Sequence, residues 1–252
     1  MLVVFLTALG VGGATAIGAL LGFLLKNPSQ KFTDFILSFA AGVMLCAAIV
    51  GLILPSLEDG NYTSVIVSVL GIILGAVCLN FIDKLVPHLH KLSGIDIEKH
   101  PDSAKNVSKV MLFVIAIAIH NLPEGIAAGV SFGTGNVSHA LTVAGGIALQ
   151  NIPEGMVIIA PMIAAGTSKK RTFLIAIITG VIEVVGTFIG YFAVSISSFI
   201  LPFALAFAGG TMLYVISDEM IPETHSHGNE RLATYALLIG FSVMLAFDYF
   251  IG

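Results

Sequence analysis

The sequence predicts an all-α polytopic membrane protein, a bundle of eight transmembrane helices with both termini on the extracytoplasmic side. Three observations predict it. The 252 residues are 57% hydrophobic and only 10% charged, whereas a soluble domain carries about 25% charged residues. The apolar residues fall into eight runs, each near the roughly 20 residues a hydrocarbon core requires. The basic residues occupy alternate connections between those runs and no others.

The runs cover 2–25, 32–57, 62–87, 109–132, 137–166, 172–196, 199–222 and 231–251. The first resembles a leader peptide in hydrophobicity, but no basic segment precedes it, and it is long enough to span a bilayer. Polar or helix-breaking residues separate the runs: Lys26-Asn27-Pro28, Glu58-Asp59-Gly60-Asn61, Gly133 to Asn136, Thr167 to Arg171 and Thr224 to Glu230. The sixth and seventh runs are divided only by Ser197-Ser198 and Pro202. One long charged segment, 88–108, links the third and fourth spans as a cytoplasmic loop, within what is otherwise a single transmembrane domain over 1–252. Its His88, His90 and His100 are scattered and read as solvated loop. Cys46 and Cys78 lie inside apolar runs with no CxxC spacing, so they read as small packing residues.

Sidedness follows from charge. Lys26 and Lys31 fall at the first connection, Lys84, Lys91, Lys99, Lys105 and Lys109 around the third, Lys169, Lys170 and Arg171 at the fifth and Arg231 at the seventh. These are all 11 basic residues of the chain. Because cytoplasmic loops hold the excess of Lys and Arg, the odd connections face the cytoplasm of a cell whose inner membrane holds the protein. The lipid bilayer is then its main solvent, and nothing calls for a nucleic-acid partner.

Three acids break the pattern of charge at helix ends. Glu124, Glu154 and Glu183 fall near the middle of spans, with no Lys or Arg at matching depth. An unpaired charge there costs several kcal/mol, leaving protonation, water or a bound cation to offset it. The neighbours favour the cation. His120-Asn121-Leu122-Pro123-Glu124-Gly125 and Gln150-Asn151-Ile152-Pro153-Glu154-Gly155 are copies of one pattern on antiparallel helices. The i, i+3 and i, i+4 spacings put each copy's polar side chains on one face. Pro123 and Pro153 cannot donate to the carbonyls one turn back, so each helix is expected to bend and open a polar hole at the midplane. Carboxylate, imidazole and amide ligands without thiolate suit a borderline dication that must leave again: Zn2+ foremost, with Cd2+, Fe2+ and Mn2+ as alternatives. Met44, at comparable depth, is either a packing residue or a thioether ligand.

These motifs resemble those of the ZIP (ZRT/IRT-like) family of divalent metal transporters, in particular its bacterial zinc transporters. The resemblance covers the whole chain. It implies a two-metal transport site, one ion held by Met44, His120, Glu124, Gln150 and Glu154, the other by Asn121, Glu124, Asn151, Glu154 and Glu183. Some members have Asp at the position of Asn151, which implies a weaker second site here. The resemblance also implies an entrance at Glu58 and Asp248, an exit at Asp218, Glu219, Glu223 and His225, and a metal-holding helix bundle that slides or rocks against a second one.

A dication entering across an inside-negative potential of about 100 mV gains roughly 4.6 kcal/mol, about a thousandfold bias toward uptake. The chain has no Walker-type phosphate loop and no HExxH motif, which argues against ATP coupling and against a metalloprotease. A metal-selective channel with the same site, or an ion-coupled carrier of another small solute, stays as an alternative. The glycine stretches Gly10 to Gly22 and Gly209-Gly210 allow close helix contact, within a protomer or across a homodimer.

Overall fold

The computed structural model describes residues 1–25, 28–58, 62–85 and 118–252, and every regular element among them is helical. The 88–108 loop with its histidines, and Asp59, lie outside the described residues. Helix α1 is Leu2–Leu24. Helix α2 starts at Gln30 and runs to Cys46, then continues through a π-helical segment, Ala47–Ile53, and a 3-10 turn, Pro55–Leu57. Helix α3 is Tyr62–Leu85, and α4 is described over 118–131. Helices α5 and α6 are Val137–Ala164 and Lys169–Ile196. Helix α7 runs Leu201–Val215, passes into a π-helical segment, Ile216–Met220, and ends as Ile221–Thr224. Helix α8 is Glu230–Ile251. Among the described residues seven helices are long and apolar enough to cross a membrane, and α4 supplies the described part of the eighth predicted span.

The ends follow local chemistry. Ser29, Asn136 and Ser168 cap α2, α5 and α6 by accepting from the third residue of each helix, satisfying amides that would otherwise be orphaned. The weak sixth junction is an extended Ser197 followed by one 3-10 turn, with Pro202 in the first turn of α7, where its missing amide costs nothing.

Irregular backbone appears at positions the sequence did not single out. Helix α5 continues unbroken through Pro153 and Pro161, and 118–131 stays helical through Pro123. The widened turns lie instead in α2 and α7, each just before a proline, Pro55 or Pro222. One proline removes one bond, which a packed helix tolerates; an inserted residue widens a whole turn and re-aims its side chains. Cys46 is buried as expected, but Cys78 is exposed on a helix that buries little of its surface.

Backbone contacts sort the helices into two groups. Gly18 and Gly155 let α1 and α5 touch, Gly12 meets Gly180 between α1 and α6, and Gly125, Gly129, Gly186 and Gly190 join α4 to α6. Gly42 and Gly240 join α2 to α8, and Gly71, Gly75 and Gly210 join α3 to α7. In each case an added methyl group would stand 2.8 Å or less from another helix. Between the groups the neighbours are side chains: Gly51 faces Val143, Gly145 faces the Phe247 ring, and Gly146 faces Met244. So α1, α4, α5 and α6 form one backbone-locked bundle, while α2 with α8 and α3 with α7 are two backbone-locked pairs that pack together as a second bundle through side chains such as Ile53 on Gly209.

The two sets carry a repeat. Phe39-Ala-Ala-Gly-Val-Met-Leu45 in α2 returns as Phe207-Ala-Gly-Gly-Thr-Met-Leu213 in α7, 168 positions later (207 less 39). The glycines obey the same offset, and their partners on α5 and α4 the 30-residue spacing of the two motifs: Gly18 packs on Ile152 and Gly186 on Leu122, while Gly22 packs on Met156 and Gly190 on Ile126. Since α2 and α7 cross in opposite senses, the repeat is inverted in the membrane.

Gly18→Ala is expected to lower the melting temperature by several degrees, because a methyl group there meets the Ile152 carbonyl at 2.1 Å and overpacking costs about 1–3 kcal/mol. Gly10→Ala, with open space around it, should melt within about a degree of the parent or slightly higher. Thermal unfolding in detergent distinguishes the two.

Candidate metal site

The duplicated motifs meet where the two π segments flank them. Asn121, Glu124, Gln150, Asn151 and Glu183 are each 0–1% exposed, as is Met44. Glu124 lies within electrostatic range of both Glu154 and Glu183, and Glu154 within range of His120. The spacing therefore did what it predicted, bringing the polar faces of α4 and α5 together with Glu183 of α6. Among the described residues no three His, Cys, Asp or Glu side chains stand close enough together to hold a metal, so acids and imidazole need amide oxygens to complete a shell. Those amides are present. Both oxygens of Glu124, both polar atoms of Gln150, and the carbonyl oxygens of Asn121 and Asn151 are buried without a hydrogen-bond partner. Buried polar atoms of native proteins are normally paired, and here six of them, five oxygens and one amide nitrogen, are gathered on α4 and α5.

Glu183 is differently disposed. Its Oε1 accepts from the Thr15 hydroxyl at 2.8 Å and from Asn121 Nδ2, and its Oε2 accepts from Asn151 Nδ2. The Asn151 amide also donates to the Val11 carbonyl at 3.2 Å. Thr15 escaped the sequence reading because one threonine in an apolar run carries no signal; the inverted repeat was the available one, since Thr15 stands 168 positions before Glu183.

Access is one-sided. Helix α4 runs outward, so His120 is one turn closer to the cytoplasm than Glu124; α5 runs inward, so Glu154 is one turn closer than Gln150. His120 retains 16% side-chain exposure and Glu154 is partly exposed, while Gln150 and Met44 are sealed. On the outer side Met44, Ala47, Ala48, Val143, Ala144 and Ile147 close a dry plug. The site opens to the side marked cytoplasmic by the basic residues.

The predicted exit residues part company. Glu219, on the π segment of α7, reaches His120, with Oε1 2.9 Å from Nε2, and so touches the site itself. Asp218 is exposed and accepts from Tyr214 at 3.3 Å. Glu223 lies 3.9 Å from His227. His225 bonds the Ile221 carbonyl and the Thr234 hydroxyl, which closes the α7–α8 loop. Asp34, passed over in the sequence, is 1% exposed and gathers Gln30, His227 and Asn229 at 2.9, 3.1 and 2.8 Å, fastening that loop to the base of α2. Of the predicted entrance pair, Glu58 is exposed after the 3-10 turn of α2, and Asp248 is partly buried near the end of α8.

Comparison with known proteins accounts for this arrangement. A family model described as ZIP zinc transporter matches residues 98–248. The zinc transporter GufA of Myxococcus xanthus is 40% identical over 248 residues, covering 96% of both chains. The chain belongs to the ZIP family. ZIPB of Bordetella bronchiseptica, also a zinc transporter, is 38% identical over 95% of this chain and 78% of its own length. The zinc transporter ZupT of Chlorobaculum parvum is 35% identical over 97% and 96%. As a ZIP protein the chain is a multi-pass membrane transporter, not an enzyme. The family model omits α1–α3, yet the relatives extend across them, so the Thr15 and Met44 helices are part of the shared fold.

The one-sided access is testable by labelling. In a background with Cys46 and Cys78 replaced, Glu154→Cys is expected to react with a membrane-impermeant thiol reagent from the cytoplasmic face, at least tenfold faster than Gln150→Cys. Equal rates, or faster labelling from outside, would contradict an inward-open site.

Proposed function

We propose that this ZIP chain carries Zn2+ into the cytoplasm as an alternating carrier, with the ion held between α4 and α5. The zinc assignment is supported by the relatives, which are zinc transporters by name, and by the ligand chemistry of two carboxylates, an imidazole and amide oxygens. Met44, His120, Glu124, Gln150 and Glu154 surround the ion; Glu124 and Glu154 balance its two charges. Cd2+, Fe2+ and Mn2+ compete for the same groups, softer Cd2+ gaining most from the Met44 thioether.

The observation that carries the carrier reading is the division of contacts. Glycines bring backbones together among α1, α4, α5 and α6, and within the α2–α8 and α3–α7 pairs; across the boundary the glycines meet the side chains of Val143, Met244 and Phe247, and the His139 ring and the Ser138 hydroxyl bond the Gly51 and Ile251 carbonyls. A backbone-locked body can slide over such an apolar boundary with few hydrogen bonds to break. Met44 and Glu219 belong to one bundle, and the α4–α5 ligands and Glu183 to the other. Movement of the second bundle would thus exchange the Met44 contact for contact toward Glu219, on the cytoplasmic side. His120, already bonded to Glu219, is the group that hands the ion to that acid, with Asp218 and Glu223 beyond it. Glu58 and Asp248 attract the cation at the outer mouth. A channel with the same ligands has no need of two separately locked bundles.

Uptake into proteoliposomes tests both parts. Glu124→Ala and Glu154→Ala are expected to reduce 65Zn2+ flux to the level of empty vesicles with normal expression; wild-type flux would remove the site. The Cβ position at Gly51 stands 3.7 Å from the Val143 Cβ across the bundle boundary, the separation a disulfide needs. A Gly51→Cys, Val143→Cys pair should therefore oxidise readily, block uptake and recover it on reduction. Undiminished flux with the bond formed would favour a channel.

A further inference from the structure

The hydrogen bonds around Glu183 assign it a task apart from ligation. A carboxylate only accepts, so the two asparagines that bond it must present their NH2 groups to it. Their carbonyl oxygens then lie on the far side of each planar amide. Those are the two asparagine oxygens left buried and unpartnered, on the helical faces that Asn121 shares with Glu124 and Asn151 shares with Glu154. Both Glu183 oxygens are thus engaged, with three neutral donors arranged about one charge.

Thr15 is the third donor, and its place is fixed by the fold. Gly155 of α5 packs on the Thr15 carbonyl as Gly125 of α4 packs on the Glu183 carbonyl, and at either position an added Cβ would stand 2.2 Å from that oxygen. The two residues are equivalent in the inverted repeat, and the hydroxyl of one meets the carboxylate of the other across the centre of the site. A second carboxylate at position 15 would put two anions there; threonine instead supplies a proton donor.

We propose that Thr15 and Glu183 form a hydrogen-bonded anchor that orients Asn121 and Asn151, and that this chain consequently binds a single dication at the α4–α5 site. Thr15 is a positioning residue: it holds Glu183, which turns both asparagine oxygens toward the ion between Glu124 and Glu154. Charge balance agrees. One dication neutralises Glu124 and Glu154, while Glu183 is stabilised by charge-assisted bonds and needs no ion of its own. Asn151 is the discriminating residue. With Asp there, the donor to Glu183 Oε2 is lost, two carboxylates face one another, and a second cation becomes the means of holding them together. The proposal rests on the α4–α5 metal reading above.

The test uses full-length protein in proteoliposomes and in detergent. Thr15→Val keeps the volume and removes the hydroxyl; it is expected to raise the apparent KM for Zn2+ about three- to tenfold, as loss of one bond to a charged group implies, with maximal flux changed less than twofold. Thr15→Ser should return KM to within twofold of the parent. Equilibrium dialysis with Cd2+ should show Asn151→Asp binding one more ion per chain than the parent protein assayed in parallel. A KM unmoved in Thr15→Val, or equal Cd2+ counts for Asn151→Asp and parent, would overturn the anchor. Persistent flux in Glu124→Ala would instead overturn the metal site on which it rests, so the two failures are distinguishable.

Discussion

Carboxylates buried in a bundle that offers them no lysine or arginine are the constraint on which the structure turns. Glu124 and Glu183 are 1% and 0% exposed, in a medium where an unpaired charge costs several kcal/mol. The two are handled in opposite ways. Glu183 is surrounded by protein donors, whereas both oxygens of Glu124 are left without a partner. A fold stabilised for its own sake would have paired the second as it paired the first. Glu124 has only the Gln150 amide close by as a donor, and on the proposed reading a mobile cation supplies the rest, so that binding energy and transport specificity share one origin.

The surrounding scaffold keeps that unsatisfied centre from collapsing. Glycines at the crossings of α1, α4, α5 and α6 bring backbones into contact, where close packing supplies much of the association energy available inside a bilayer. These contacts fix the spacing of α4, α5 and α6 independently of the side chains at the site. The same economy of contact is withheld from the boundary with α2, α3, α7 and α8, where the glycines meet side chains and the only backbone groups bonded among the described residues are the Gly51 and Ile251 carbonyls, by His139 and Ser138. Rigidity within each bundle and looseness between them arise from one variable, the placement of glycine. The π segments of α2 and α7 stand at that boundary, on opposite sides of the site, and their widened turns present Gly51 to Val143 and Glu219 to His120.

The spans were legible because hydrophobic length and basic alternation are local and cumulative: each predicted boundary lies within about three residues of the helix end where both are described. The motif faces were legible because i, i+3 and i+4 spacings fix direction on any helix. Other features were not. The prolines Pro123 and Pro153 lie inside uninterrupted helices, while the irregular turns of α2 and α7 have no comparable single-residue mark. Thr15 and Asp34 looked ordinary because their significance lies in partners 168 and 193 positions away. The glycine stretch of α1, open to use within or between protomers, is spent largely inside the chain, although Gly10 and Gly13 face open space.

Sequence alone determined that the chain crosses the membrane, that three acids lie deep in it without a basic partner, and which helical faces carry the polar residues around them, since each of these depends on composition or on spacing along one helix. Only the tertiary structure decided how the helices divide into two bundles, that the site opens to one side, and that Glu183 is bonded by Thr15 and two asparagines. Those are relations between helices distant in sequence, set by where small residues let backbones meet.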